Sequence, residues 1–542
     1  MAKINGTNAR DTLSGTTGDD TITGLGGDDF LKGGGGADLL DGGDGIDSAS
    51  YADSFVGVGV NLATGHGFGG TAEGDVLVRI ENLFGSAFND GLIGNGAAND
   101  LHGLAGDDVL KGGGSADHLA GDEGNDLLQG GSYGDFLDGG TGIDTADYSL
   151  SGVGVSVDLL ANVGSGGDAE GDTLSSIENV TGSAHHDAIA GSTDANVLRG
   201  LDGNDTLYGW NGGDTLIGDG GDDWLHGGSG FDTMIGGTGN DDYFVESFGD
   251  AIIENANEGY DRVWSSIDYT LGANLEFLDL GTVLGLGPLN GTGNELDNTI
   301  QGNESDNVLD GRGGADLING GKGNDTYIVD NANDRVVDVE GGFDRVRTSV
   351  SYNLANVENL HGHPNEVEVL ETTDPAGTAA IDLVGNDFNN TIVGNNGSNI
   401  IVGSPLGDDV NLDGVEDYDG LDVMTGNGGG DVFVWTSTNE TRLAGQEADV
   451  VTDFNRAGGD LLSFNLIDAN VAVAGDQAFT FVGIVDVTQG GSFTAPGQIG
   501  YFTTATDTFI LLNTEVDAGL DFQDATIRVA GVHTVDASWF VL

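Results

Sequence analysis

From Gly15 onward the chain falls into units of nine residues. Residues 15–23 read GTTGDDTIT, 24–32 GLGGDDFLK, 33–41 GGGGADLLD and 42–50 GGDGIDSAS, each opening on glycine with Asp at position six. A fixed period outranks every local signal, because each unit must then be one supersecondary element stacked on its neighbours. The frame returns over residues 85–147, 182–244 and 293–328, and in broken form over 385–434. The glycine-rich half of each nine suits a tight turn, and the other half, such as Asp-Val-Leu, suits a short strand. Turns this short leave no room for a helical crossover, so the strands must be parallel and wind as a solenoid.

One large apolar residue recurs at position eight, held by Leu31, Leu40, Leu110, Leu128, Leu207, Leu225, Leu309 and Ile318. That is enough to fill a narrow interior while the remaining side chains face solvent. Tyr243, Tyr327 or Phe433 takes the position where an array ends. If two nines form one coil, residues 18 apart stack at roughly 4.8 Å, so Asp20 lies over Asp38 and Asp29 over Asp47. Two carboxylates at that spacing repel by about 3 to 4 kcal/mol, and a column of them opposes winding.

The charge balance carries the same message. The chain has 542 residues, of which 100 are Gly and 90 are Asp or Glu against 15 Lys or Arg, giving a formal charge of −75. Such a chain stays expanded until something neutralises it. Calcium, which takes six to eight oxygens at roughly 2.3 to 2.6 Å, suits a turn offering glycine carbonyls and a carboxylate; magnesium, with its tight octahedron, suits it less. The ligand candidates are Asp20, Asp29, Asp38 and Asp47 in the first array and Asp108, Asp117, Asp126, Asp135 and Asp144 in the second. Asp205, Asp214, Asp223, Asp232 and Asp241 follow in the third, and Asp316 and Asp325 in the fourth. The scattered basic residues argue against nucleic acid or anionic membrane as partner. No stretch is long and apolar enough to insert in a bilayer, and the chain has no cysteine for a disulfide or thiolate site.

In this form the sequence resembles the repeats-in-toxin (RTX) nonapeptide Gly-Gly-x-Gly-x-Asp-x-apolar-x, matched in full at 139–147 (GGTGIDTAD), 227–235 (GGSGFDTMI) and 320–328 (GGKGNDTYI). The resemblance implies a calcium-bound parallel β-roll that is unfolded in calcium-poor cytoplasm, leaves by the type I secretion machinery and folds outside the cell. Asn99, Asn196, Asn298, Asn307, Asn390 and Asn399 depart from it, replacing the position-six Asp near the start of arrays, and are expected to form calcium-free caps.

The expected class is therefore all-β: stacked calcium-bound rolls over 1–50, 85–147, 182–244, 293–328 and 385–434. Spacers at 51–84 and 148–181, wedges at 245–292 and 329–384, and a C-terminal β domain at 435–542 separate or follow them. Residues 45–112 and 142–209 align without a gap at an offset of 97, a duplicated module. Val56, Val58, Val60 and Leu62, and their copies Val153, Val155, Val157 and Leu159, alternate as a half-buried strand would. Glu73 with Asp75, and Glu170 with Asp172, offer further carboxylate pairs. Asp409-Val-Asn411-Leu-Asp413-Gly414 resembles the opening of a calcium loop, with Asp417 as a later ligand and Gly420 where a bidentate Glu is expected. The C-terminal segment resembles the export-signal domain of serralysin-type secreted proteins through Asp431-Val-Phe433-Val, Asp449-Val-Val-Thr-Asp453-Phe454 and the closing Trp-Phe-Val-Leu542.

Catalytic motifs point nowhere. No pair of the nine histidines has metalloprotease spacing, and His185-His186 and His361-Gly-His363 read as surface residues. Gly130-Gly-Ser132-Tyr-Gly134 satisfies Gly-x-Ser-x-Gly only as a by-product of the repeat. The expectation is a secreted, extracellular or cell-surface, non-catalytic protein that binds calcium and itself as a surface-layer or matrix component. The second reading is an adhesin that binds cell-surface polysaccharide, and the third is a hydrolase with an unrecognised site.

Overall fold

The computed structural model describes residues 2–281, 287–338, 341–356, 366–386, 388–404, 421–436, 448–464, 467, 478–485, 493, 495–513 and 525–541. Two compact units divide the chain, Met1–Trp264 and Ser265–Leu542, and each is a parallel β-solenoid.

In the first unit the register of 18 holds as the period predicts. Thr21–Gly26 pairs in parallel with Leu39–Asp44, placing Ile22 against Leu40, while Phe30–Lys32 pairs with Ser48–Ser50 on the opposite wall, placing Leu31 against Ala49. Leu110 meets Leu128, and Leu119 meets Leu137. One turn of the coil thus takes two nines and contributes one short strand to each wall. The position-eight side chains stack between the walls with no exposure, and each such burial stabilises by roughly 1.5–3 kcal/mol.

The spacers differ from the expectation of bridges between separate rolls, because the coil runs through them. Leu77 stacks on Leu40, and Leu83 lies between Ala49 and Leu101. The extra residues emerge as a hairpin, Gly59–Asn61 antiparallel to His66–Phe68, repeated as Ser156–Asp158 with Val163–Ser165. The alternating valines are strand only in part: Val58, Val60, Val155 and Val157 are buried, but Val56 and Val153 stand exposed. The Ser54 and Ser151 hydroxyls donate to the Val56 and Val153 carbonyls, each at 2.7 Å, and bend the chain before pairing begins.

Wedge residues wind likewise, with longer loops. Ile252 stacks on Met234 in the first unit; in the second, Val336 stacks on Ile318, Val346 on Tyr327 and Leu370 on Val346. Near the C-terminus the pattern changes to an antiparallel meander of Gln498–Thr503, Asp507–Asn513 and Ala525–Ala530, with Val485, Phe493 and Leu511 clustered in its core. Phe540–Val541 returns to pair in parallel with Leu461–Ser463, so the tail extends the wall.

Candidate metal centre

The interior nonapeptide turns are shaped by left-handed backbone at position two and, in most of them, at position four. In the nine that opens at Gly33, Gly34 has φ +93° and Gly36 has φ +115°, conformations that cost an L-residue strain. At Gly36 space adds to conformation, since a Cβ would fall 2.6 Å from the Asp19 amide of the preceding coil. Leu25, Tyr133 and Trp210 adopt the same backbone and leave their side chains in solvent.

This turn carries the position-six carboxylate inward. One oxygen accepts a hydrogen bond from the backbone N–H of the position-six residue one coil earlier: Asp38 Oδ1 from Asp20, Asp126 Oδ1 from Asp108 at 2.8 Å, and Asp223 Oδ1 from Asp205 at 2.8 Å. The carboxylates therefore hang from successive amides, and that bond offsets part of the repulsion a bare column would suffer. The second oxygen is different. Oδ2 of Asp29, Asp38, Asp47, Asp108, Asp117, Asp126, Asp135 and Asp144 is buried with no hydrogen-bond partner. The same is true of Asp205, Asp214, Asp223, Asp232, Asp241, Asp316 and Asp325. A buried, unpaired carboxylate oxygen costs several kcal/mol unless a cation meets it.

Position-one glycine shows what faces that oxygen. A Cβ built on Gly121 would overlap Asp126 Oδ2 and lie 2.6 Å from the Gly139 carbonyl oxygen; one on Gly112 would do the same with Asp117 Oδ2 and Gly130. Carboxylate and carbonyl oxygens thus converge from adjacent coils with no hydrogen between them, a donor set of hard oxygens that fits calcium. Burial is the largest cause pushing these groups up, to about 7 for Asp108, Asp135 and Asp214 and about 8 for Asp223.

Asp20 stands apart from the other repeat candidates. Its Oδ2 accepts from the Thr16 N–H at 2.7 Å and the Thr16 hydroxyl at 2.8 Å, and Oδ1 accepts from the Ala2 N–H. The Ala2 bond, then the Thr16 hydroxyl, hold its carboxyl below the usual value. Asn99 closes its turn with both ends of its amide, accepting from the Asn95 N–H at 2.8 Å and donating to the Glu81 carbonyl at 2.7 Å. Asn196 repeats this with Ser192 and Glu178. Position two separates the classes. Thr16, Ser86, Asn95, Ser183 and Ser192 turn their amides toward the position-six side chain, whereas left-handed backbone, as at Gly113 or Asn427, turns the amide away.

The spacer carboxylates split. Asp75 and Asp172 enter the column, accepting from the Asp38 and Asp135 amides at 2.8 Å, whereas Glu73 and Glu170 stay outside on the Gly69 and Gly166 amides. Glu81 and Glu178, which the period did not single out, continue the column from the Asp47 and Asp144 amides. Both stand in an Ile-Glu-Asn, at residues 80–82 and 177–179, ahead of the second and third arrays. His102 and His118, 16 residues apart, are brought together on Asp100 by the winding, at 3.2 and 2.7 Å. Asp409, Asn411, Asp413 and Asp417, with His361 and His363, lie outside the described residues.

The family model of the RTX calcium-binding nonapeptide repeat, four copies long, matches residues 5–40, 14–49, 80–110, 93–128, 181–216, 217–252, 292–327 and 382–409. A search of the curated proteins finds no match. Repeats of this kind bind calcium and are typical of proteins exported by type I secretion, and no helix among the described residues is long and apolar enough to cross a membrane. Matched in five separate stretches, and folded as the parallel roll that the repeat requires, the chain carries RTX calcium-binding nonapeptide repeats, a kind typical of secreted proteins.

Proposed function

We propose that this protein is non-catalytic and structural, that it leaves the cell through type I secretion machinery, and that it assembles with itself outside as a surface-layer or matrix component. In this reading the ions sit at the turns of Asp29, Asp38, Asp47, Asp108, Asp117, Asp126, Asp135, Asp144, Asp205, Asp214, Asp223, Asp232, Asp241, Asp316 and Asp325. At Asp108, Asp117, Asp126 and Asp223 Oδ2 joins a glycine carbonyl of the adjacent coil, at Asp47 and Asp144 the carbonyls of Arg79 and Ser176, and Asp20 stays with Thr16. The observation that carries the structural role is repetition itself: the buried carboxylates recur one per turn on backbone amides instead of converging on one cleft. Exposed apolar side chains recur too. Ile46 and Ile143 are each 59% exposed, and Val56 and Val153 are 55% and 58% exposed, at matching places in the duplicated module. A surface that presents the same apolar points at regular intervals suits association with further copies.

Circular dichroism and sedimentation of the purified chain, titrated from chelator into millimolar calcium, test this. A coil-to-β transition followed by large ordered assemblies is expected; folding that stops at a monomer removes the assembly role. A second reading, polysaccharide binding, is favoured by a surface cavity of about 400 Å³ lined by Trp224, Tyr260, Asp222, Asn240, Asp242 and Arg262. An aromatic ring beside paired polar groups suits a sugar. Glycan capture by a monomer, lost in Trp224→Ala, would favour it.

A further inference from the structure

Two carboxylate clusters use residues that the nine-residue period does not supply. Asp241, Glu254 and Asp261 bring carboxylate oxygens within 4.8 Å of one another, and so do Asp325, Asp338 and Asp344. The first residue of each is the last position-six Asp of its array; the other two come from the wedge that follows. Asp241, Asp261, Asp325, Asp338 and Asp344 are at most 1% exposed. Oδ2 of Asp241, Asp325 and Asp344 has no hydrogen-bond partner.

The surroundings of the two clusters match. Tyr327 donates to Asp338 Oδ2 at 2.6 Å and accepts from the Gly320 N–H at 3.1 Å; Tyr243 donates to Glu254 and accepts from the Gly236 N–H at 2.7 Å. Asp261 and Asp344 accept from the Asp241 and Asp325 amides at 2.9 and 2.7 Å. At Gly103, Gly112, Gly121, Gly209 and Gly218 a Cβ would meet a glycine carbonyl of the next coil. On Gly236 and Gly320 it would meet the hydroxyls of Tyr243 and Tyr327 instead. The wedge brings no repeat glycine to that place, and the tyrosine oxygen stands where the carbonyl would be.

We propose that each cluster is a divalent-cation site of hard-oxygen, calcium-type chemistry, in which a wedge carboxylate, Glu254 or Asp338, completes the last turn of the array. The choice of ion rests on the calcium reading of the interior turns. Three carboxylates around one ion supply more charge than an interior turn does, so these two sites hold their ions more tightly than the turns they terminate. The tyrosines position the wedge carboxylates through the hydroxyl bond.

Native mass spectrometry of the full chain in calcium, alongside calcium titration, tests the assignment on Glu254→Gln, Asp338→Asn and the double variant. Each single change is expected to remove one ion and the double change two, with the tightest class of sites weakened at least tenfold and the β signal kept in millimolar calcium. An unchanged ion count and affinity would overturn the proposal. Should a variant fail to fold, crystals of the unaltered protein grown with terbium decide: anomalous peaks inside both clusters support the sites, and peaks at the interior turns alone overturn them while leaving those turns intact. A chain that takes up no ion anywhere would overturn the interior calcium turns as well.

Discussion

The turns of Asp108, Asp117 and Asp126 and the turns that open the same array, at Asp90 and Asn99, share one coil, one register and one hydrogen-bond ladder, yet they solve the problem of a buried polar side chain differently. At Asp90 the carboxylate takes the Ser86 amide and hydroxyl, and at Asn99 the side-chain amide serves donor and acceptor alike. At Asp108, Asp117 and Asp126 the second oxygen is left facing glycine carbonyls. The difference teaches that winding as such does not demand a cation. The demand is created locally, by left-handed backbone at position two and a charged side chain at position six, and it can be removed by two substitutions per turn.

The strongest way to break the comparison is to withdraw calcium. Hydrogen exchange of the chelated chain is expected to show protection of the Asp117 and Asp126 amides falling by roughly 10³ or more, as several buried unpaired carboxylates become uncompensated together; retained protection would mean the interior turns are as self-sufficient as the opening ones. Next in size, Gly121→Ala places a methyl on Asp126 Oδ2. A loss of about 2–4 kcal/mol in calcium, with one ion fewer bound, is expected from denaturant titration and ion counting.

A pH series on calcium-free protein sharpens the same point. The folded-state pKa values of Asp108, Asp135 and Asp214 are raised from 3.8 to about 7, so the folded chain holds protons that the unfolded chain releases. Stability without calcium should therefore be greatest below about pH 4 and fall as pH rises through 7, read as loss of β circular dichroism; a rise over that range would contradict the burial of these groups. Smallest, Asn99→Asp gives up the bond to the Glu81 carbonyl and leaves two oxygens facing. About 1–2 kcal/mol of destabilisation is expected, recovered at high calcium if the turn can be converted to the interior kind.

The coil was legible because period alone carries it: Leu31, Leu40, Leu110 and Leu128 were placed inside by position, and each is fully buried. The register of 18 followed from the same count. The continuity of the column through the spacers was hidden. Asp75 replaces a residue 18 on from Asp38 with one 37 on, and Glu81 is a different residue type, so neither keeps the frame. Only the three-dimensional return of the chain shows that they continue the column. Closure of the Asp20 turn was written in Thr16, a side chain able to cap, but composition-level reading treats every position-six Asp alike. The clusters at Glu254 and Asp338 were concealed for a related reason, as their partners come from 11 to 20 residues away across a wedge whose loop lengths follow no period.

The amide ladder of the roll has one further consequence. Each position-six amide is satisfied by a carboxylate from the coil that follows it, never from the one before. The thread is therefore handed in time as well as in space: a coil lost from the C-terminal side of an array strips its neighbour of an acceptor, while a coil lost from the N-terminal side removes only a donor. Unravelling is expected to run from the far end of an array backward, and whatever secures that end acts as the latch for the whole stack.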